Sequence, residues 1–194
     1  MWIKVLISLL FSIICFADTD SVSTEHADVK LVLPQKFQKN TSSKIGIQFD
    51  LAPDWHIYWK NPGDSGAEPK FNFNLDGARL VKTHWPKPKR IAVEHLVNIG
   101  YEKTVVFVFD LEVFNKDQVS ATIDLEWLVC KVDCIPGFAT LSFKTPTGET
   151  TNYKAQDQKL LERFISLSPK QNNTSTFTVK QANIENNQLV VKLD

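Results

Sequence analysis

Sulfur is scarce in this sequence, which has three cysteines and one methionine among 194 residues. Because Met1 is the only methionine, the sequence excludes a thioether-rich Cu(I) site. The cysteines and the four histidines form no C-x-x-C or H-x-x-x-H pair of the kind that holds zinc. We therefore predict neither a bound metal nor a cofactor.

An excess of charge of one sign is also missing, since 22 basic and 22 acidic residues cancel. Domains that bind nucleic acid or an anionic membrane surface usually carry an excess of basic residues. The balance gives no reason to expect either, and no nucleic-acid partner is predicted. After the first 17 residues, no segment is long and apolar enough to cross a membrane.

The one long apolar run lies at the start, where residues 1–17 are typical of a secretory signal peptide. Lys4 supplies the positive charge, residues 5–16 form the apolar run, and Cys15 and Ala17 are the small residues that cleavage requires. The run is too short to span a bilayer. We therefore expect an exported protein that loses Cys15 and matures where disulfides are permitted.

The two remaining cysteines, Cys130 and Cys134, follow a strand candidate whose apolar residues alternate over residues 119–128. Pro136 and Gly137 predict a turn behind them. In a fully extended chain, residues four apart are about 13 Å apart, so a bridge requires the chain to curl. Because so small a ring stabilises a fold by only about 2 kcal/mol, the spacing fits a structural staple or a bridge that is made and broken. A metal site would need a second pair of ligands.

Alternating apolar residues and frequent turn signals predict about nine short strands. Residues 155–167 have helical spacing instead. The pattern predicts an all-β fold, an antiparallel β-sandwich with one late helix. We assign residues 1–17 to the signal peptide, 18–150 to the sandwich, 151–175 to the helix and a linker, and 176–194 to the first strands of an incomplete second β domain, with strand candidates at 177–179 and 188–193.

Several stretches between the strand candidates are interpreted as connections or core. Residues 61–66 are dense in turn residues, and residues 86–90 are interpreted as a solvated loop that blunts a sheet edge. Residues 94–101 combine loop-like and apolar character, with Gly100 permitting a tight bend. The aromatic run at residues 55–59 is interpreted as core packing, with a ligand-stacking platform as the alternative. His56 faces away from the tryptophans of that run.

Three stretches occur in a specific order and spacing: residues 55–66 (WHIYWKNPGDSG), 96–102 (LVNIGYE) and 127–136 (WLVCKVDCIP). Together they resemble the periplasmic N-terminal domain of DsbD-type thiol:disulfide interchange proteins, particularly the ScsB-like branch linked to copper tolerance. The resemblance covers about residues 29–143. It implies an immunoglobulin-like sandwich in the periplasm, and the tail is similar to the opening of the second sandwich domain of ScsB-like proteins.

The resemblance also implies a function in thiol-disulfide exchange. Cys130 and Cys134 would be the redox-active pair, with Cys134 forming the mixed disulfide and Cys130 resolving it. Reducing equivalents would come from a membrane electron-transfer domain of the DsbD or ScsB type, expected on another polypeptide or in a longer reading frame. They would pass to thioredoxin-like periplasmic proteins, such as disulfide isomerases or the thioredoxin-like protein of cytochrome c biogenesis. Residues expected to cap the site or contact partners are Val97, Asn98, Ile99, Tyr101, Trp127 and Asp133.

A second hypothesis belongs to a different functional class. It is a non-catalytic periplasmic sandwich that binds copper or a partner protein, with a structural disulfide. In that case the cysteine pair, with His84 or His95 nearby, would hold the metal. Equilibration of the disulfide with a glutathione buffer distinguishes the two, because a structural bridge resists reduction.

Overall fold

The computed structural model describes residues 18–169, 179–185 and 188–193. The predicted signal peptide lies outside these ranges. In the described ranges, no helix is both long enough and apolar enough to cross a membrane.

The elements are β1 (Ser21–Ser23), β2 (Ala27–Val32), β3 (Phe37–Gln38), β4 (Ser42–Leu51), β5 (His56–Gly63), β6 (Lys70–Asp76), β7 (Ala78–His84), β8 (Lys89–Val93), β9 (Leu96–Glu102), β10 (Thr104–Val113), β11 (Gln118–Cys130), β12 (Cys134–Gly148), α1 (Ala155–Ser166), β13 (Val179–Glu185) and β14 (Gln188–Leu193).

Two sheets enclose a common apolar core. One has the strand order β1-β2-β4-β10-β7, and the other has the order β3-β12-β11-β5-β9-β8 with β6 also paired to β11. The pairs are antiparallel except that of β3 with β12. The ring of Phe49 in the first sheet meets Trp127 of the second edge-on, with centroids 5.4 Å apart. The predicted all-β antiparallel sandwich is confirmed.

The central strands β4 and β10 are covered on both faces, which explains their continuous apolar character. Residues 105–109 of β10 are all buried. One face of these strands lies against the second sheet, and α1 packs on the other through Leu161 and Phe164. Gly46 allows this approach, because a Cβ there would lie 2.8 Å from Leu161 Cδ2. The predicted helix and the predicted strand at 104–113 are confirmed.

Strand β11 positions the cysteines. It pairs with β12 along its whole length, with β6 over Ser120–Glu126, and with β5 at Cys130, opposite His56. Its side chains alternate, so that Ile123, Leu125 and Trp127 enter the core. The alternation predicted over 119–128 is confirmed, and the strand runs two residues further, to Cys130.

Other expectations were wrong. The loop-like interpretation of residues 94–101 is wrong, because residues 96–102 form β9, which lies between β5 and β8. Gly100 is not at a bend: it lies inside β9, where a Cβ would be 2.1 Å from the carbonyl oxygen of Ile57. Strand β5 continues to Gly63, into the predicted turn at 61–66, and β8 begins inside the predicted loop at 86–90. The described residues thus hold more strands than the nine expected.

The tail forms a separate pair of strands. β13 and β14 pair antiparallel with each other. The strand expected at 188–193 is confirmed as β14, whereas most of the strand expected at 177–179 lies outside the described residues. The proposed domain boundaries stay predictions.

Candidate functional site

A disulfide joins Cys130 and Cys134 at the tip of the β11–β12 hairpin. Cys130 ends β11, Cys134 begins β12, and the two face each other in the register with Cα atoms 4.2 Å apart. The three residues between them curl the chain, and the Lys131 N–H donates to the Asp133 carbonyl oxygen at 3.1 Å. The curl that the spacing required is therefore a hairpin turn.

The two cysteines differ in exposure. Cys130 is only 2% exposed, whereas Cys134 belongs to the exposed part of the hairpin. Exchange requires an incoming thiolate to approach one sulfur along the S–S axis. The difference in exposure makes Cys134 the accessible end of the bridge.

The charges of the turn are paired or solvated. Lys131 Nζ lies 3.1 Å from Asp54 Oδ2, in an ion pair that is open to solvent. Asp133 is exposed. The carboxylate of Asp54 thus offsets part of the positive charge of Lys131 beside the hairpin tip.

Strand β5 places two buried polar side chains beneath the disulfide. His56 and Tyr58 share one face of β5, and they are 2% and 0% exposed. Their rings meet edge-on with centroids 5.2 Å apart. The hydroxyl of Tyr58 lies 3.5 Å from Cys134 Sγ. A buried phenol therefore contacts the accessible sulfur from the protein side.

Asn98 of β9 links these side chains to a surface loop. Its Nδ2 lies 3.3 Å from His56 Nε2 and donates to the Tyr58 hydroxyl at 3.4 Å. Its Oδ1 accepts a hydrogen bond from Ser65 Oγ at 2.8 Å. We call His56, Tyr58, Ser65 and Asn98 the polar network.

Burial shifts the pKa values of His56 and Tyr58 so that the neutral form of each side chain is favoured. Burial lowers the pKa of His56, and the negative charge of Glu102 opposes this only in part. Burial raises the pKa of Tyr58, against a smaller opposing effect of the Ser65 hydroxyl. At neutral pH the imidazole is therefore uncharged and the phenol keeps its proton.

The loop after β5 closes over the polar network. Gly66 adopts a φ of +85°, and a Cβ there would lie 2.0 Å from Tyr58 Cζ, so only glycine lets the backbone lie on the ring. Asp64 ties the loop to β9, because its Oδ2 accepts from the Val97 N–H at 2.8 Å. The loop and β9 thus enclose Tyr58 together.

The residues expected to cap the site or contact partners lie in different environments. Asn98 reaches Cys134 through Tyr58, and Asp133 lies in the turn. Tyr101 is a core residue whose hydroxyl donates to the Pro86 carbonyl oxygen at 2.8 Å. Trp127 is 3% exposed, and Gly137 leaves room for its indole against the hairpin backbone. Val97 and Ile99 are half-buried on β9.

An apolar surface surrounds the exposed cysteine. Val132, Ile135 and Phe138 are 68%, 41% and 67% exposed. A shallow groove of about 210 Å³ lies beside them and is lined by Ala67, Glu68, Lys70, Glu126, Trp127, Leu128, Pro136 and Phe138. An exposed apolar surface of this kind is typical of a protein contact.

The described residues contain no group of three or more His, Cys, Asp and Glu side chains that could hold a metal ion. His84 of β7 lies in the other sheet, where its Nε2 is 2.8 Å from Asp110 Oδ2. His95 is exposed between β8 and β9. In the part of the chain that the structure describes, neither histidine forms a metal-binding group with the two cysteines.

Three residues of the polar network were not predicted as part of the site: His56, Tyr58 and Ser65. The alternation of residues 55–59 did contain a signal, since it puts His56 and Tyr58 on one face, opposite the tryptophans. Two residues with polar tips on a buried face require partners. The sequence could not show that one of these partners is a cysteine sulfur more than seventy positions away.

A family model and several solved structures match this chain. Residues 27–146 match the family model described as thiol:disulfide interchange protein DsbD, N-terminal. The crystal structure of the N-terminal periplasmic domain of ScsB from Proteus mirabilis matches with a TM-score of 0.67 and 24% identity, over 91% of this chain and 68% of that one. The reduced DsbD n-terminal domain of Neisseria meningitidis matches with a TM-score of 0.35 and 12% identity, over 64% of this chain and 88% of that one. None of the curated proteins matches. The likeness to the ScsB domain shows the fold, an immunoglobulin-like sandwich as predicted.

Proposed function

This chain belongs to the family of DsbD N-terminal domains, and from that premise we propose that it relays reducing equivalents in the periplasm, after removal of residues 1–17. It takes them from a membrane electron-transfer domain of the DsbD or ScsB type. It passes them to thioredoxin-like proteins, such as disulfide isomerases or the thioredoxin-like protein of cytochrome c biogenesis. The observation that carries the proposal is the Cys130–Cys134 bridge at a hairpin tip, with one cysteine exposed and the other buried.

The relay proceeds in two exchanges. The Cys134 thiolate attacks one sulfur of a partner disulfide, an S–S bond forms between the two proteins, and the other partner sulfur leaves as a thiolate. The Cys130 thiolate then attacks Cys134 Sγ, which closes the bridge and releases the second partner sulfur. Two electrons pass to the partner, and two protons follow to its thiols. The reverse sequence with a donor dithiol reduces the bridge again.

The exposure of the two cysteines supports these roles. A partner protein can reach only a sulfur at the surface, and Cys134 is the exposed residue of the pair. Because Cys130 is only 2% exposed, Cys134 can reach it but a partner protein cannot. The apolar residues Val132, Ile135 and Phe138 favour a protein partner over a small thiol, because docking would bury them. Val97, Ile99, Trp127 and Asp133 remain proposed cap or partner contacts.

Two single-cysteine variants test the proposal, each with Cys15→Ser so that no third thiol interferes. Each is mixed with a thioredoxin-like protein that keeps only its attacking cysteine, activated as a mixed disulfide with thionitrobenzoate, and covalent complexes are separated without reductant. Cys130→Ala should accumulate the disulfide between the two proteins, because neither protein keeps a second thiol to resolve it, and Cys134→Ala should form none. The opposite pattern would contradict the assigned roles, and no complex with either variant would contradict the relay.

Redox titration separates the relay from a structural bridge. The protein should equilibrate with a glutathione buffer, whereas a bridge that resists reduction would contradict the proposal. Phe138→Ser should slow exchange with the thioredoxin-like protein several-fold but leave the glutathione equilibrium unchanged. Val81→Ser is the matched control, since Val81 is also exposed (59%) but lies on the other sheet. Metal binding by the reduced protein alone would favour the copper-binding alternative.

A further inference from the structure

We propose that Tyr58 is a catalytic residue of this exchange, whose hydroxyl donates a hydrogen bond to Cys134 Sγ and stabilises the thiolate that forms there, and that Asn98 positions it. The inference rests on the proposed function for its biological meaning. The property that it concerns is the thiol pKa of Cys134, which can be measured without any partner.

The direction of the hydrogen bond follows from the disulfide. In the oxidised protein Cys134 Sγ carries no hydrogen, so the hydroxyl 3.5 Å away can only be the donor. Tyr58 is fully buried and its pKa is raised, so it holds that hydrogen throughout the neutral pH range. When the bridge is reduced, the same donor meets a sulfur that bears a negative charge, and hydrogen bonds to charged groups are the stronger ones.

Asn98 orients the phenol through a chain of donors with one consistent direction. Ser65 Oγ donates to Asn98 Oδ1, which turns the amide nitrogen toward His56 Nε2 and the oxygen of Tyr58. Because burial keeps His56 neutral, its Nε2 can accept one amide hydrogen. The other hydrogen is donated to the phenol oxygen, which leaves the single hydrogen of Tyr58 for the sulfur.

The other charges near Cys134 do not supply this stabilisation. Lys131 is paired with Asp54 at 3.1 Å, and the exposed carboxylate of Asp133 opposes a thiolate. Glu102 lies opposite His56 in the β5–β9 pairing, and its negative charge also offers no support to a thiolate. Among the residues that the structure describes, the Tyr58 hydroxyl is the group that hydrogen-bonds to the Cys134 sulfur.

The test measures the thiol pKa of Cys134 in a single-thiol background, Cys15→Ser with Cys130→Ala. Thiolate absorbance near 240 nm and the rate of alkylation by iodoacetamide are followed against pH. Tyr58→Phe removes only the hydroxyl, and we expect about tenfold less thiolate at pH 7, the effect of one hydrogen bond to a charged group. Tyr101→Phe is the matched control, since it removes another buried hydroxyl, one that donates to Pro86, and it should leave the titration unchanged.

Asn98→Ala provides a second variant that keeps the phenol. It should shift the Cys134 titration in the same direction by a smaller factor of about three, because the hydroxyl loses its orientation. An unchanged pKa in folded Tyr58→Phe would overturn the proposal, as would an equal shift in Tyr101→Phe. If Tyr58→Phe does not fold, as judged by circular dichroism, Asn98→Ala decides alone. A shifted pKa in a protein that exchanges with no partner would reject the relay while leaving this inference intact.

Discussion

Two polar clusters lie at different places in the sandwich and use similar residues differently. The ionic cluster consists of Lys44, His84 and Asp110 of the five-stranded sheet, together with Tyr153, whose hydroxyl donates to the Lys44 carbonyl oxygen at 2.8 Å. The Asp110 carboxylate lies 3.2 Å from Lys44 Nζ and 2.8 Å from His84 Nε2. The polar network is neutral and ends on a sulfur atom. Each contains a histidine and a tyrosine, but only the polar network contacts the disulfide, through the Tyr58 hydroxyl.

The two clusters differ in whether they hold a charged side chain. Burial alone would raise the pKa of Asp110, but hydrogen bonds from His84 and Lys44 outweigh it and hold the pKa below its usual value. The contacts of Asp110 with Lys44 and His84 join β10 to β4 and β7 and so stabilise the sheet. The polar network has no such charge pair to give up, so changes there should affect the cysteine chemistry more than stability.

The largest change in stability is expected from Asp110→Ala. It leaves Lys44 and His84 without their carboxylate, and we expect a loss of about 2–3 kcal/mol in the free energy of unfolding. Urea denaturation measures it. Glu112→Ala, on the same strand, breaks the exposed ion pair with Arg79 and should cost less than about 1 kcal/mol. In the single-thiol background used above (Cys15→Ser with Cys130→Ala), neither variant should alter the alkylation rate of Cys134. A changed rate would show that the two clusters are not independent.

Gly66→Ala should cost about 2 kcal/mol, because φ is +85° and the new Cβ would collide with the ring of Tyr58. It should also change the alkylation rate of Cys134, since the ring must move. Gly77→Ala is a matched control, with φ +82° and a Cβ 2.4 Å from the Gln118 carbonyl oxygen. It should be similarly destabilised with normal alkylation, and an equal effect of both variants on alkylation would contradict the role of the loop.

Ser65→Ala should cost about 1 kcal/mol, the value of one hydrogen bond. Without the Ser65 hydroxyl, the Asn98 amide is no longer held in one orientation, so alkylation of Cys134 should slow two- to threefold. Ser166→Ala is the control, because it removes a hydroxyl that donates to the Arg163 carbonyl oxygen at the end of α1. Alkylation that stays normal in Ser65→Ala would show that Asn98 does not depend on this contact.

A further difference between the clusters is their pH dependence. The pKa of His56 is lowered in the folded protein, so the unfolded chain binds more protons below about pH 6.5, and stability falls as pH falls through that window. One proton limits the slope to about 1.4 kcal/mol per pH unit. The pKa of Asp110 is lowered from 3.8, so its contribution is complete above that pH and is lost only below it.

Urea unfolding at pH 8, 6 and 5 separates these contributions. His56→Gln should flatten the dependence in this range, because the titrating group with a lowered pKa is gone, and Asp110→Asn should not. His95→Gln, at an exposed position, is the control for the loss of a histidine. A slope that survives in His56→Gln would show that another group carries it.

Regular patterns in the sequence predicted much of the fold. The alternation in β11, the continuous apolar run of β10 and the helical spacing of α1 each reflect a side-chain period that packing must satisfy. β9 was missed because its signals conflict: Gly100 and nearby polar residues indicate a loop, but the strand is formed by pairing with β5 and β8. Pairing partners distant in sequence leave little local signature.

The sequence by itself determined that Cys130 would lie at the end of a strand with one buried face, because periodicity is a local property. The turn expected at Pro136 and Gly137 is wrong, since both residues lie in β12 and pair with β11. The sequence also carried the resemblance that the family match supports. Only the tertiary structure decided that Cys134 is the exposed residue, and that Tyr58, Asn98 and Ser65 stand behind it. These contacts join three segments separated along the chain, and a hydrogen bond depends on the distance and direction between atoms, which the order of residues does not specify.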